Sequence, residues 1–230
     1  ILGTGYNLLV ANNYATTHGG GIFIEDATFY NNTIAYNRSN GTGGLHQYTD
    51  ASYGSSSLRL YNCLFYGNTN AALGFQNVEK FNGAENCYVH SKTALGENIQ
   101  NKFKSCRYGT YLASPFASTN PQRDNNFRLK FDSTNPDNSW CVNHGTDAYE
   151  LPSTDVDFTA RIKDCRVDVG AYELDNTANI QPETTSSDGI TTATYYVPQA
   201  GRGIMSGASL DQAACAEKLQ AILDAAGKYV

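Results

Sequence analysis

Charge is the first thing this sequence has little of. Asp, Glu, Lys and Arg make up 17% of the 230 residues, and 16 basic against 22 acidic side chains leave a net charge of −6. A protein that grips nucleic acid through phosphate needs a basic face, and this balance argues against one. Long apolar runs are missing too: none approaches the roughly 18 residues that cross a bilayer as a helix. Polarity comes instead from Asn, Thr, Ser, Gly and Tyr. That is usual in extracellular β-proteins and unlike a helical cytosolic enzyme.

Familiar catalytic signatures are absent as well. The six cysteines (63, 87, 106, 141, 165 and 215) form no CxxC and no Cys/His metal spacing. The four histidines (18, 46, 90 and 144) make no HExxH, and no serine sits in a GxSxG elbow. Gly201-Arg202-Gly203 lacks the Gly-Lys-Ser/Thr that completes a phosphate loop. Ile1 opens in the middle of a strand-like pattern rather than a leader, so a mature fragment or an excised piece is expected.

Repetition is what the sequence does have. Asn32-Thr33-Ile34-Ala35-Tyr36-Asn37 returns as Asn62-Cys63-Leu64-Phe65-Tyr66-Gly67-Asn68, with a weaker echo at Asn86-Cys87-Tyr88-Val89-His90. Between these lie Gly21-Ile22-Phe23-Ile24, Gly44-Leu45-His46 and Leu73-Gly74-Phe75. The segments are short, alternating and rich in β-branched and aromatic residues, which favours strands over helices. Two interleaved strands returning every 23 to 30 residues describe the coil of a solenoid, whose apolar face is buried only by stacking on its neighbours. Tyr48 to Ser57 reads as a loop excursion from one turn.

The recurring residues have structural explanations. Asn bonds the backbone at tight turns and tolerates left-handed geometry, and Asn37 and Asn68 on successive coils are expected to bond one another. Thr33, Cys63 and Cys87, continued by Cys106, are expected to form a column of small inward residues. The cysteines there are read as buried free thiols, with disulfides the alternative in an export compartment.

Together these repeats resemble the parallel β-helix of pectate-lyase-like surface proteins. Ser139-Trp140-Cys141-Val142-Asn143-His144-Gly145-Thr146, then Thr154-Asp155-Val156-Asp157, then Val167-Asp168-Val169-Gly170-Ala171-Tyr172-Glu173 sharpen the likeness. The series resembles the end of β-helix domains in exported Bacteroidetes proteins, often called choice-of-anchor Q domains. It departs from them at Asp157-Phe158-Thr159, where a Gly is usual. The resemblance implies an all-β, right-handed parallel β-helix with a C-terminal strand-plus-helix extension. It implies a localisation at the bacterial outer-membrane surface or outside the cell. Residues 1–175 are expected to be the C-terminal portion of one β-helix domain, and the polar stretch 176–192 a linker. Residues 193–230 resemble the opening of a second domain, with a strand, a Gly/Ser loop and a capping helix from about Leu210 to Ala226. Strand edges near Ile1 are expected to meet further coils of a longer parent protein or a neighbouring chain.

Two groups of residues are candidates for chemistry or binding. Asp155 and Asp157, at i and i+2, would share one face of a strand and suit a Ca²⁺ ion or an acid/base pair. The alternative gives them, with Asp168 and Glu173, the work of capping turns and pairing with Arg161 or Arg166. Gly170 and Tyr172 of the terminal string are read as structural. Exposed Tyr beside Asn and Gln suits carbohydrate, so a ligand-binding face is sought at His46, Tyr48 and Tyr66. A non-catalytic surface module (stalk, adhesin or glycan-contacting segment) is the expected function. Its alternatives are a polysaccharide lyase or glycoside hydrolase, and an interaction subunit of an outer-membrane assembly.

Overall fold

The computed structural model describes residues 2–49, 57–131, 140–162 and 166–174, together with the strand pair Glu183–Ser187 and Ile190–Thr194. The fold is all-β and dominated by parallel strands. Helix among the described residues is limited to single turns at Val78–Lys80, Glu97–Gln100 and Pro121–Asp124.

Three parallel sheets and a short parallel pair, Tyr14–Ala15 with Arg38–Ser39, organise the described residues between 2 and 109. The first holds Leu2–Tyr6, Asp26–Tyr30, Leu58–Tyr61, Phe81–Glu85 and Phe103–Lys104 in that spatial order. The second holds Leu9–Ala11, Thr33–Ala35, Leu64–Tyr66, Tyr88–His90 and Arg107–Gly109. The third holds Ile22–Ile24, Leu45–Gln47 and Leu73–Phe75. On its first three passes the chain visits first, second and third sheet and returns to the first one strand further on; the last two passes add strands to the first and second sheets, so each pass lies beside the one before. Through the second sheet the register runs Leu9, Thr33, Leu64, Tyr88, Arg107, in steps of 24, 31, 24 and 19 residues. Through the third it runs Ile22, Leu45, Leu73, in steps of 23 and 28.

Alternation decides what is buried. In the first sheet Ala27 and Phe29, Leu58 and Leu60, and Phe81 and Ala84 point inward, while Thr28, Tyr30, Arg59 and Tyr61 face out. Ile34, Phe65 and Val89 meet them from the second sheet, and Leu45 and Leu73 from the third. Tyr6, Tyr30 and Tyr61 stack outside at centroid spacings of 5.0 Å per step.

The second sheet is covered on both faces. The described residues between 110 and 174 lie over its outer side, where Ala35, Leu64 and Tyr88 pack against Phe116, Phe127, Leu129, Cys141, Val142, Val169, Ala171 and Tyr172. Thr33-Ile34-Ala35 therefore reads as three consecutive buried residues, as a two-sided parallel strand should.

That register corrects the expected small-residue column. Thr33 pairs with Leu64, not with Cys63. Its neighbour Asn32 lies opposite Cys63, whose carbonyl accepts from Tyr88 as Asn32's accepts from Leu64. The offset between these passes is 31 residues throughout, from Thr33 and Leu64 to Asn37 and Asn68, so Asn31 is the partner of Asn62 and aligning Asn32 with Asn62 slips the register by one. A one-residue slip exchanges the two faces of a strand: Thr33 looks outward, and its Oγ1 accepts the Ala171 N–H at 2.9 Å.

The column that does form is Asn32, Cys63, Cys87 and Cys106. Asn32 Oδ1 accepts the N–H of Leu8 on the previous pass at 2.7 Å. The Cys87 sulfur does the same for Cys63, and the Cys106 sulfur for Cys87, each at 3.3 Å. Cys63, Cys87, Cys106 and Cys141 are unpaired thiols, while Cys165 and Cys215 lie outside the described residues.

Near the end of the chain, Glu183–Ser187 pairs antiparallel with Ile190–Thr194, Ser187 opposite Ile190. This hairpin falls across the boundary drawn at 192/193. Its threonines favour strand, and Asp-Gly, the dipeptide between the two strands in the sequence, is among those favoured at such a place. Residues 195–230, with the expected loop and capping helix, lie outside the described residues, as do residues 50–56 of the loop after Tyr48.

Candidate functional site

A turn separates the first sheet from the second on every pass. Asn7, Asn31, Asn62 and Asn86 occupy it with φ of 53°, 51°, 52° and 51°, and Ser105 follows with 50°. Asn is the residue that enters this left-handed region most readily after Gly. The amides are thereby aimed at the closing segment. Asn7 Nδ2 donates to the Thr154 carbonyl at 2.7 Å, and Asn31 Nδ2 to that of Asp168 at 2.9 Å. Asn62 and Asn86 reach the carbonyls of Thr146 and His144, each at 2.8 Å. The expected ladder lies one turn further on, where Asn37 Nδ2 donates to Asn68 Oδ1 at 3.1 Å, and Asn13 Nδ2 to Asn37 Oδ1 at 3.0 Å. The docking column went unread because the misaligned repeat hid Asn31. Asn31, Asn62 and Asn86 at spacings of 31 and 24 were the signal.

The candidate carboxylates hold backbone. Asp155 is buried, and its Oδ1 accepts from the N–H groups of Asp157 and Thr159 at 2.9 and 3.0 Å. Its Oδ2 accepts the Glu173 N–H at 3.0 Å. Asp157 instead meets Arg128 Nη2 at the surface, 2.6 Å away. The expectation that these two share a strand face is thus corrected: the N–H groups of residues 157 and 159 wrap around the Asp155 carboxylate, and that wrapping makes a turn. Phe158 sits in it with φ of 61° and its side chain 87% exposed.

Asp168 does similar work, taking the N–H groups of Asn143 and Leu174 on its two oxygens, both at 2.7 Å. Arg161, 2% exposed, crosses between the strings. Its guanidinium donates to the carbonyls of Gly170 and Ala171 and to Asn7 Oδ1, and lies 3.5 Å from Glu173 Oε2. Burial, reinforced by the charge of Asp168, pushes the Glu173 carboxyl up to about 10. Arg161 at this distance does not offset that. Gly170 adopts φ of 110°, and a Cβ there would stand 2.8 Å from Thr33 Oγ1. Tyr172 packs in the outer core under Arg128, whose guanidinium lies 5.3 Å from the ring centroid. Among the described residues no cluster of three His, Cys, Asp or Glu side chains is placed to hold a metal ion.

The aromatic candidates divide between two sheets. His46 faces outward from the third sheet between Phe23 and His18, with ring centroids at 5.5 and 4.5 Å. Tyr48 stacks on Phe23 at 5.6 Å. Phe23 is 52% exposed and Tyr48 38%. Burial and the neighbouring His18 hold His46 below the usual histidine range, so it is neutral at pH 7. Thr42 Oγ1 lies 3.2 Å from its Nδ1. Gly74, opposite His46 in the next strand, adds no side chain beside the ring.

Tyr66 does not belong to this group. It lies on the second sheet, stacked on His90 at 4.6 Å and edge-on to Phe116 at 5.8 Å under the closing segment. Beyond Tyr6, 38% exposed at its end, the Tyr ladder of the first sheet is also closed to a sugar face. Both faces of Tyr30 are covered by Tyr6 and Tyr61, and Tyr149 tilts onto Tyr61 at 4.1 Å.

No family model matches the chain, and no curated protein or solved structure matches it either. The class stands on the geometry alone: an all-β protein of parallel sheets, with an exposed aromatic patch on the third sheet and a closing segment docked on the second.

Proposed function

We propose that the chain is part of a right-handed parallel β-helix and serves as a non-catalytic surface module of a larger exported protein, contacting glycans through the outer face of its third sheet. The reading keeps the resemblance to choice-of-anchor Q domains and the extracellular placement that goes with it. One contrast supports it. Asp155, Asp168 and Glu173 are engaged by backbone N–H groups and Arg161, whereas Phe23 and Tyr48 present ring surface to solvent beside the polar edges of His46 and Thr42. Sugars meet proteins through that pairing of C–H faces on rings with nearby hydrogen-bonding groups.

A second reading rests on the sheet ends. Leu2–Tyr6, Leu9–Ala11 and Ile22–Ile24 are each the terminal strand of a sheet, and Tyr6, Leu8 and Tyr14 stand exposed along that side. The partner proposed there is an extended β-segment of the same parent protein or of a neighbouring chain.

Incubation with a panel of acidic and neutral polysaccharides tests the first reading, with cleavage and gel retardation followed on the same samples. Retardation without cleavage is expected, weakened about tenfold in Phe23→Ala or Tyr48→Ala, a loss of ~1.4 kcal/mol. Cleavage lost in Asp155→Ala or Asp157→Ala would overturn it in favour of a polysaccharide-degrading enzyme. Silence in both assays would leave the strand-pairing reading.

A further inference from the structure

Three thiols stand on consecutive passes of the second sheet's entry turn. Cys63 and Cys87 are fully buried, and Cys106 is half-buried. The Cys106 sulfur accepts the Cys87 N–H at 3.3 Å, as the Cys87 sulfur accepts that of Cys63. Tyr88 pairs in register with Arg107, so the preceding cysteines are neighbours across the same ladder. Adjacent strands lie about 4.8 Å apart, inside the roughly 4.4–6.8 Å that disulfides span between Cα atoms.

We propose that Cys87 and Cys106 form a reversible disulfide staple between the fourth and fifth passes, closed by reaction of Cys106 with an external organic disulfide. The geometry assigns the order of events. Cys106 alone of the three is accessible, and its hydrogen bond from Cys87 favours the thiolate, the form that attacks. Its sulfur attacks one sulfur of the external disulfide, a mixed disulfide forms and a thiolate leaves, taking up a proton. The Cys87 sulfur, losing its proton, then attacks the Cys106 sulfur and expels the second thiolate. The two cysteines give up two electrons and two protons, and the external disulfide becomes two thiols. Burial pushes the Cys87 thiol well above its ordinary range, which makes the second step the slower one. The loop so closed carries Leu95 and Ile99, which pack on the core beside Phe103 and Cys106. The staple therefore fastens this end of the core whatever ligand the third sheet takes.

The test is incubation of the whole folded chain with glutathione disulfide, acid quenching, alkylation of remaining thiols, and intact-mass and tryptic mapping. The expected product has lost two hydrogens. Its Cys87 and Cys106 peptides, cut apart at Lys92, Lys102 and Lys104, remain joined until reductant is added. Cys63→Ser behaves the same way. Cys87→Ser accumulates glutathione on Cys106, and Cys106→Ser takes up none at Cys87. Circular dichroism establishes that each variant is folded. A glutathione adduct that persists on Cys106 of the unsubstituted chain without joining Cys87 would overturn the proposal. So would full alkylation of both thiols after treatment, or a link from Cys87 to Cys63.

Discussion

Asn62 and Thr146 are 84 residues apart and bond each other as two backbone segments would: Asn62 Nδ2 donates to the Thr146 carbonyl and Asn62 Oδ1 accepts the Thr146 N–H, both at 2.8 Å. The side chain is fully buried, and its Nδ2 also lies 3.3 Å from Asn31 Oδ1. One amide thus completes a two-sided ladder for a segment with no strand of its own beside it. It does so because its backbone is held at φ of 52°, which points Cβ away from both sheets.

Asn62→Asp keeps the shape and the tolerance for left-handed backbone but turns the donor into a second acceptor. That acceptor faces the Thr146 carbonyl and Asn31 Oδ1. The expected cost is about 2–4 kcal/mol, from the lost bonds and the buried oxygen left without a donor. Urea unfolding followed by fluorescence of Trp140 checks it. A change within ~0.5 kcal/mol, the scatter of neutral surface substitutions, would show that the closing segment is held by its apolar contacts alone.

Phe158 offers the opposite case. A bulky residue with φ of 61° and a side chain 87% exposed bears the strain of left-handed backbone without the compensation of burial. Phe158→Gly is expected to stabilise the chain by about 1 kcal/mol, the difference between relief of roughly 1–2 kcal/mol of strain and the greater freedom that Gly gives the unfolded chain. Thermal melting of the two proteins side by side decides the sign. A lowered Tm would mean that the exposed ring makes a contact worth more than the strain.

Much of this architecture was legible in the sequence. Ile22, Leu45 and Leu73, aligned by the repeat, are true register partners, because the third-sheet segments have no insertions between the matched residues and their turns. The second sheet is offset by one position, since the adjacent Asn31 and Asn32 both offer a match for Asn62 and a repeat of short strands carries no marker of which face is inward. The grouping of Tyr66 with His46 and Tyr48 failed for a related reason. Whether an outward ring is open or covered depends on residues such as Phe116, Phe127, Val169 and Tyr172, which stand in no periodic pattern that would announce the surface they cover. The fate of Asp155 was equally hidden, because spacing at i and i+2 describes a strand only if the intervening N–H groups are not captured by the carboxylate itself.

Glu173 makes stability depend on pH in an unusual direction. Its carboxyl ionises near 10 in the folded chain, against an ordinary value of 4.5 once unfolded. The folded state therefore holds the extra proton between those limits, and stability falls as pH rises through that window. Its contribution is complete below the unfolded value and gone above the folded one. Arg161 does not reverse the slope, since burial lowers its own range and the charges of Asp155 and Asp168 also face it. Glu173→Gln copies the protonated form and should flatten this part of the profile, with stability at pH 8 equal to or above that of the unsubstituted chain. Urea unfolding of both proteins from pH 5 to 9 measures the difference. If the two profiles run parallel, Glu173 is ionised in the folded chain, and its pairing with Arg161 rather than its proton holds the end of the closing segment.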